Sequence, residues 1–232
     1  MESRGKGQVM VPLNRNGPKV TRAERTLATR RRMVKAAYGL FCEVGYLGTT
    51  MTALADRADV ATPTIYYTFG TKARVLGEAL GAAIVGFELW REPPAQPDMA
   101  ETMPWHDWWA PLLEAPTAHQ ALAVFVESGA QILQRVGPLI PALFGSIGDP
   151  EAAEIVHASF ERQFESYRLV LAVVAGKAPS LRPSLDLDQA TDATVAVFSA
   201  DAYRTLTARG WSHEQCRAFF FEVLTTHLLP AD

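Results

Sequence analysis

The sequence predicts an all-α fold, with a three-helix N-terminal domain followed by a larger helical domain. Apolar residues recur at three- and four-residue spacing in one segment after another, which is the period of a helix. Glycines, prolines and capping residues stand between these segments and divide them into separate helices. We expect a basic arm (residues 1–21), a head (residues 22–72) and a body of about six helices (residues 73–232).

The arm mixes glycine, proline, asparagine and basic residues without periodicity, so we expect it to be mobile in the free protein. Its basic residues are Arg4, Lys6, Arg15 and Lys19. They fold onto phosphates or enter a minor groove when DNA is present, or they form only a solubilising extension. Both alternatives stay open.

Charge is divided unevenly along the chain. Residues 1–75 contain 13 Lys and Arg against 5 Asp and Glu, whereas the rest carries a net charge of −11. A basic end on an acidic body is typical of a protein that meets a polyanion at one end only. The alternative is a solvated basic tail without a partner.

The head begins with a long helix that runs from Thr21 to about Val44, where Gly45 supplies the stop. The basic residues Arg30-Arg31-Arg32 and Lys35 lie early in it. They face either phosphates or solvent.

The stretch from Thr50 to Lys72 predicts two short helices joined by a tight turn. The buried face of the first consists of Leu54, Ala55 and Ala58. Asp59-Val60-Ala61 then interrupts the pattern, and a second helix begins at Thr62-Pro63, because proline is tolerated in a first turn. Its buried stripe consists of Ile65 and Phe69.

The outer side of the second short helix carries hydroxyls and aromatic rings beside a lysine. Such a helix suits a DNA major groove, because hydroxyls reach phosphates and base edges while methyls and ring edges meet the thymine methyl. A threonine that caps the first short helix can also bind a phosphate. The candidate DNA-binding residues are Thr50, Thr52, Thr62, Pro63, Thr64, Tyr66, Tyr67, Thr68 and Lys72.

One set of residues runs through the head without a gap in its spacing: Phe41, Gly45-Tyr46, Thr49-Thr50, Leu54-Ala55, Ala58, Val60, Thr64-Ile65-Tyr66, Phe69 and Lys72. Over about residues 23–76 this set resembles the DNA-binding domain of the TetR family of bacterial transcriptional regulators. Two positions depart from the family pattern. Asp59 replaces the usual turn glycine, but aspartate tolerates the left-handed conformation, so we expect the turn to be kept. Gly70 replaces a polar or basic residue and is expected to remove one phosphate contact.

The resemblance implies a homodimeric regulator, more often a repressor, that binds palindromic double-stranded operator DNA. It also implies release by a small-molecule effector, which we expect to be largely apolar. The alternative is a helical small-molecule-binding or protein-interaction module with little specific DNA binding. Operator binding should weaken steeply with salt, whereas an interaction module need not bind DNA.

The body is expected to join the head through a helix from Lys72 to about Trp90. Residues 91–118 hold six of the 15 prolines and three of the five tryptophans, which indicates an irregular insert or a short helix. These tryptophans line an apolar pocket or cap the end of the helical bundle. The candidate effector residues are Trp105, Trp108, Trp109, Phe125, Phe144, Phe160, Phe164 and Tyr167.

Four further helices are predicted in the body, over about residues 119–135, 151–175, 188–209 and 213–229, with a short apolar segment at 141–147. The last two are apolar over more than one stripe and need a second surface to bury against. In the resembled family these helices pair with those of a second subunit. The candidate interface residues are Val195, Phe198, Ala202, Leu206, Phe219, Phe220, Val223 and Leu224.

Composition and motifs argue against several other classes of protein. A hydrophobic content of 48% with 20% charged residues is that of a globular chain. No nucleophile elbow, HExxH, Walker A or dinucleotide fingerprint is present, and Cys42 and Cys216 belong to no metal-ligand cluster, so we expect neither an enzyme nor a cofactor or metal. The N-terminus lacks the apolar core of a signal peptide, and no apolar run could cross a membrane, so we expect a cytoplasmic protein.

Overall fold

The computed structural model describes residues 21–91 and 99–231, and all regular elements within them are helical. The predicted all-α fold is therefore confirmed for this part of the chain. The arm lies outside the described residues except for Thr21. None of the described helices is long and apolar enough to cross a membrane.

The head consists of α1 (Arg22–Gly48), α2 (Met51–Ala58) and α3 (Thr62–Phe69). α1 begins with a capping box between Thr21 and Glu24, and Gly45 leaves the helical conformation with φ 71°. The predicted start and the predicted role of Gly45 are confirmed, although Tyr46 to Gly48 form one more turn after the kink.

α4 (Lys72–Val85) follows and is shorter than predicted. It ends at Gly86, whose φ of 102° is left-handed, so the prediction of a helix to Trp90 is wrong. The chain folds back there: the backbone N–H of Trp90 donates to the carbonyl of Gly86, and the indole ring is buried. The apolar periodicity continues past Gly86 and predicts a longer helix, but the glycine ends the helix.

The rest of the body contains more helices than the predicted six. They are α5 (Met99–Thr102), α6 (Trp109–Glu114), α7 (Ala118–Val136), α8 (Ile140–Gly145), α9 (Pro150–Ala175), α10 (Leu187–Val197), α11 (Ala200–Ala208) and α12 (His213–Leu228). Short 3₁₀ turns at Met103–Trp105 and Gly137–Leu139 join some of them. The predicted capping box between Ser212 and Gln215 starts α12.

The segment predicted as one helix over residues 188–209 is divided at Phe198 and Ser199. Ser199 caps α11, because its hydroxyl accepts the N–H of Ala202 at 3.2 Å. The carbonyl of Phe198 accepts instead from the hydroxyl of Tyr167 on α9, at 2.8 Å. A long-range hydrogen bond thus helps to hold a break that has neither proline nor glycine.

α4 links the head to the body, since it packs against α1 on one side and against α7 and α9 on the other. Close approach to α9 depends on Gly77, because a Cβ there would lie 2.9 Å from Cγ2 of Ile155. α12 packs on α7, and α10 packs on α9. α9 therefore contacts both α4, which leads from the head, and α10 in the C-terminal part of the body.

Candidate nucleic-acid interface

α2 and α3 turn their apolar sides inward, as predicted. Leu54, Ala55 and Ala58 of α2 are fully buried, and so is Ile65 of α3, while Phe69 is 3% exposed. These side chains form the packing between α1, α2, α3 and α4. The opposite side of α3 is consequently held at a fixed angle to the rest of the head.

The turn between α2 and α3 is formed without glycine. Asp59 has φ 51° and ψ 56°, the left-handed conformation that aspartate tolerates. The N–H of Val60 closes the turn by donating to the carbonyl of Ala55 at 3.0 Å. Gly70 also has a backbone reason to be glycine, because its φ of 77° ends α3. Both departures from the family pattern are therefore compatible with an intact motif.

The outer face of α3 is exposed. Tyr67 is 94% exposed and Tyr66 is 53% exposed, and Pro63 and Thr64 are exposed beside them. Thr62 and Thr68 are half-buried, and the hydroxyl of Thr68 donates to the carbonyl of Thr64 at 2.7 Å. No side chain caps the first turn of α3, so the positive end of its helix dipole is not covered by a capping side chain. These groups together offer donors and ring edges on one convex surface.

The first turn of α2 contributes a second set of hydroxyls. Thr50 is the N-cap, and its Oγ1 accepts the N–H of Ala53 at 3.1 Å. Thr52, in the same turn, is exposed. Thr49, by contrast, is buried, and its hydroxyl donates to the carbonyl of Gly45 at 2.8 Å. Only Thr50 and Thr52 therefore remain as candidates for a phosphate at this helix start.

Lys72 is held by the head itself. Its ammonium donates to the carbonyls of Tyr46 at 2.9 Å and Thr49 at 3.2 Å, and lies 4.2 Å from the centre of the Tyr46 ring. A lysine has three N–H donors, so one remains for a phosphate. Its predicted contact with DNA stays a prediction, but the lysine also fixes the end of α1 to the start of α4.

The basic run of α1 braces the head against α4. The guanidinium of Arg30 pairs with Glu78 and lies over the Phe69 ring, 5.5 Å from its centre. Nε of Arg31 donates to the carbonyl of Trp90 at 2.9 Å. From the sequence, the basic run is expected to face either phosphates or solvent. Phosphate contact loses support for Arg30 and Arg31, because both already bind groups within the chain.

One ion pair that the sequence did not reveal fixes α2 on α1. The guanidinium of Arg57 binds both carboxylate oxygens of Glu43, at 2.6 and 2.5 Å. This pairing lowers the pKa of Glu43 below its usual value. Gly39 lies close to the pair, since a Cβ there would lie 3.2 Å from Cζ of Arg57. The two residues are 14 positions apart and lie on different helices, so no local sequence pattern predicts that they pair.

A hydrogen bond joins the head to the first turn of α9. The hydroxyl of Tyr46 donates to Oδ2 of Asp149 at 2.6 Å, while Oδ1 of the same carboxylate accepts the N–H groups of Glu151 and Ala152. The Tyr46 hydrogen bond is the largest cause that lowers the pKa of Asp149, and burial raises the pKa of Tyr46. Beside it, Nε of Arg74 pairs with Glu151 at 3.1 Å. Two polar links therefore connect the head and α4 to α9.

The predicted effector residues do not converge on one pocket. Trp105, Phe144 and Phe160 are 70%, 53% and 44% exposed, so the structure does not bring them together in one enclosed site. Trp108, Trp109 and Phe164 are half-buried. Phe125 and Tyr167 do come together in the interior, with ring centres 5.1 Å apart.

Three residues predicted for the subunit interface lie inside the chain instead. Phe198 and Phe220 have no exposed surface, and Leu224 is 1% exposed. Their assignment is wrong, because a side chain without exposed surface cannot contact a partner. The half-buried residues Val195, Ala202, Leu206, Phe219 and Val223 stay candidates.

Comparison with known proteins agrees with this geometry. Residues 33–79, from α1 to α4, match the model of the bacterial regulatory proteins of the tetR family. No curated protein sequence matches the chain.

Solved structures resemble the chain over nearly all of their own length. The NalD repressor of a multidrug efflux pump in Pseudomonas aeruginosa is 18% identical, with a TM-score of 0.58 over 88% of this chain and 98% of that one. A putative transcriptional regulator from Saccharomonospora viridis in complex with choline is also 18% identical, with a TM-score of 0.64 over 88% and 99%. The fatty acid degradation regulator FadR from Bacillus halodurans is 14% identical, with a TM-score of 0.60 over 91% and 96%. At these identities the likeness establishes a common fold.

Proposed function

We propose that the chain is a ligand-responsive transcriptional repressor of the TetR family that binds palindromic operator DNA as a homodimer, because residues 33–79 match the model of the bacterial regulatory proteins of the tetR family. The outer face of α3 is the observation that carries this proposal. Tyr67 is 94% exposed on a helix whose other side, Ile65 and Phe69, is almost completely buried. A tyrosine held so far into solvent contributes nothing to the core, and a role in recognition accounts for it.

The chemistry of this face suits the major groove. Tyr66, Tyr67 and Thr64 present hydroxyls that can donate to phosphates and base edges, and Pro63 and the threonine methyls can meet the thymine methyl. The start of α3, which no side chain caps, adds the positive end of the helix dipole. Thr50 and Thr52 at the start of α2 would contact the adjacent phosphates.

Dimerisation would follow from the half-buried apolar side of the C-terminal helices. Leu206 of α11, together with Phe219 and Val223 of α12, leaves part of its surface uncovered, and the Trp211 ring lies against Phe219 with centres 5.6 Å apart. A two-fold dimer through this side would present two copies of α3 to two half-sites of one operator. Such a regulator acts on the chromosome, in the bacterial cytoplasm.

The effector would act by population shift, binding more tightly to the conformation whose heads are wrongly spaced for DNA. Structures with the same fold include a multidrug efflux repressor and a regulator in complex with choline, which supports a small-molecule effector here. The hydrogen bond from Tyr46 to Asp149 and the ion pair from Arg74 to Glu151 supply a contact through which α9 would move the head.

The test is a fluorescence anisotropy titration of the DNA that flanks its own gene, at two salt concentrations, with unrelated DNA as competitor. We expect a complex that survives competition and weakens steeply with salt. Tyr67→Ala should abolish the specific complex, whereas Trp105→Ala, which removes an aromatic ring from the body that is also exposed (70%), should not. If unrelated DNA displaced the flanking DNA as effectively as the flanking DNA itself does, the result would favour the alternative, a helical binding module without an operator.

A further inference from the structure

Phe198 occupies an unusual place for a residue at a helix break. Its ring is fully buried among three others, with centres 5.1 Å from Phe125, 6.0 Å from Tyr167 and 5.2 Å from Phe220. The backbone around it is not helical, since φ is −89° and ψ is 69°. The N–H of Ser199 donates to the carbonyl of Val197 at 3.1 Å, which closes a tight turn at this point.

The space that holds this ring exists because residue 129 is glycine. A Cβ on Gly129 would lie 2.5 Å from Cε1 and 2.7 Å from Cζ of Phe198. Gly129 lies within α7, where an ordinary residue would favour the helix by about 0.5–1 kcal/mol. A glycine thus lies in the interior of α7 where the Phe198 ring comes close to the helix backbone. We call the space bounded by Phe125, Gly129, Tyr167 and Phe220 the ring site.

One edge of the ring site is polar. The hydroxyl of Tyr167 donates to the carbonyl of Phe198 at 2.8 Å and accepts from Nε2 of Gln163 at 3.2 Å. The other side chains that bound the site are hydrocarbon rings. If the Phe198 segment moves away, the Tyr167 hydroxyl loses its acceptor, and a buried donor without a partner is unfavourable. A ligand that brings its own acceptor replaces the lost hydrogen bond.

We propose that the ring site is the effector site, and that a flat, neutral aromatic molecule with one hydrogen-bond acceptor binds there by displacing the Phe198 ring. The inference deepens the proposed function and rests on it only for the effect on DNA. The part that moves is short, because α10 ends at Val197 and α11 has its own cap at Ser199. Both helices keep their internal hydrogen bonds while Phe198 turns outward.

The same event reaches the head through α9. Tyr167 and the N-cap Asp149 belong to the same helix, 18 residues and about 27 Å apart at 1.5 Å per residue. Exchange of the Phe198 carbonyl for a ligand changes what holds α9 at Tyr167. Asp149 at the other end accepts the hydroxyl of Tyr46. α9 thus contacts the ring site through Tyr167 and the head through Asp149.

The first experiment uses acetophenone, a neutral ring with a carbonyl acceptor, and ethylbenzene, which matches it in shape but has no acceptor. Two-dimensional NMR of the wild-type chain should show shifts at the Gly129 and Phe198 amides on addition of acetophenone. Calorimetry should give tighter binding of acetophenone than of ethylbenzene, and Tyr167→Phe should remove that preference. Unchanged shifts at both amides up to the solubility limit would overturn the proposal, and a preference that survives Tyr167→Phe would overturn the role of the acceptor.

The second experiment removes the displaced ring. Because a minor open state is populated at about 0.1–10%, and the apparent affinity falls by that fraction, Phe198→Ala should bind acetophenone at least about tenfold more tightly than the wild type. Adding Gly129→Ala to that variant places a methyl group in the ring site and should reverse the gain. Phe160→Ala, which removes a phenyl ring from the surface of the same domain, is the matched control and should bind as the wild type does.

The outcomes are distinct. Equal affinity of wild type and Phe198→Ala, or no effect of the added Gly129→Ala, would place the ligand elsewhere and overturn the proposal. Binding by Phe198→Ala without any by the wild type would show an engineered cavity only and would also overturn it. If Phe198→Ala does not fold, Phe198→Leu makes the same comparison with a smaller gap. Operator binding without ligand is measured separately, so its failure would refute the proposed function and leave these results standing.

Discussion

Gly129→Ala tests the packing of the ring site through stability alone. The added methyl carbon would lie 2.5 and 2.7 Å from two atoms of the Phe198 ring, far inside the contact distance of two carbons. The ring cannot retreat freely, because Phe125, Tyr167 and Phe220 pack around it. Either the ring or the backbone of α7 must move.

Two opposing contributions set the magnitude. Alanine improves the intrinsic helix propensity of α7 by about 0.5–1 kcal/mol. Forcing an extra methyl into a packed core costs about 1–3 kcal/mol. The clash involves two atoms of a confined ring, so we expect the packing loss to win and the free energy of unfolding to fall by about 1–2 kcal/mol. For a chain of this length, each kcal/mol of lost stability lowers the Tm by about 2–4 °C, so the Tm should fall by roughly 2–8 °C.

The assay is urea and thermal unfolding followed by circular dichroism, with Gly81→Ala as the matched control. Gly81 is also inside a helix, but a Cβ there would lie 3.6 Å from Nε1 of Trp90, an ordinary contact. This control should therefore gain about 0.5–1 kcal/mol from helix propensity. If Gly129→Ala proved as stable as Gly81→Ala, the Phe198 ring would not fill the space beside Gly129, and the reasoning would be refuted.

The remaining predictions concern the junction of head and body. Tyr46→Phe keeps the ring but removes the donor to Asp149, so operator affinity should fall roughly 2- to 30-fold, with unchanged helicity by circular dichroism. Unchanged affinity would show that this hydrogen bond carries no coupling. Asp149 has a lowered pKa, so its contribution to stability is full above the ordinary value of 3.8 and is lost as pH falls through the lowered pKa. The Tm difference between wild type and Tyr46→Phe, measured from pH 7 to pH 2, should therefore be constant above about pH 4 and shrink below it; a difference that grew towards acid pH would contradict this sign. Lys72→Met keeps the hydrocarbon stem but loses the two hydrogen bonds to backbone carbonyls. The free energy of unfolding in urea should therefore fall by about 1–3 kcal/mol, and DNA binding should weaken as well. A variant as stable as the wild type would mean that Lys72 acts only on DNA.

The elements of the head could be predicted because their signals are local. Thr21 and Thr50 lie next to the N–H groups they accept, Asp59 sets its own backbone conformation, and the buried stripe of α3 follows from a spacing of four residues. A single sequence contains all of this within one or two helical turns. The exposure of Tyr66 and Tyr67 follows from the same periodicity.

The features that the sequence did not reveal depend on partners far along the chain. The break at Phe198 is held by Tyr167, 31 residues earlier, and no residue at the break is a strong helix breaker. Periodicity indicated that α12 has more than one apolar stripe, but could not say which of them is covered by the chain itself. Phe220 and Leu224 belong to the covered stripe, whereas Phe219 and Val223 do not.

Electrostatic partners behave in the same way. Arg30 and Arg31 resemble a phosphate-binding run until their acceptors, Glu78 and the carbonyl of Trp90, are known. Lys72 likewise has the charge expected of a DNA contact and two backbone acceptors besides. The charge of a residue indicates which groups it can bind, whereas the group that it does bind depends on the fold.

Hydroxyl-radical footprinting of the DNA that flanks its own gene tests the central claim most directly, namely that α3 reads an operator as part of a dimer. The account predicts two protected segments of palindromic sequence, with centres one helical turn of about 34–36 Å, or a multiple of it, apart. Tyr67→Ala should erase both segments together while the chain stays folded. A single protected segment, protection that survives Tyr67→Ala unchanged, or protection spread evenly along any DNA would contradict the claim.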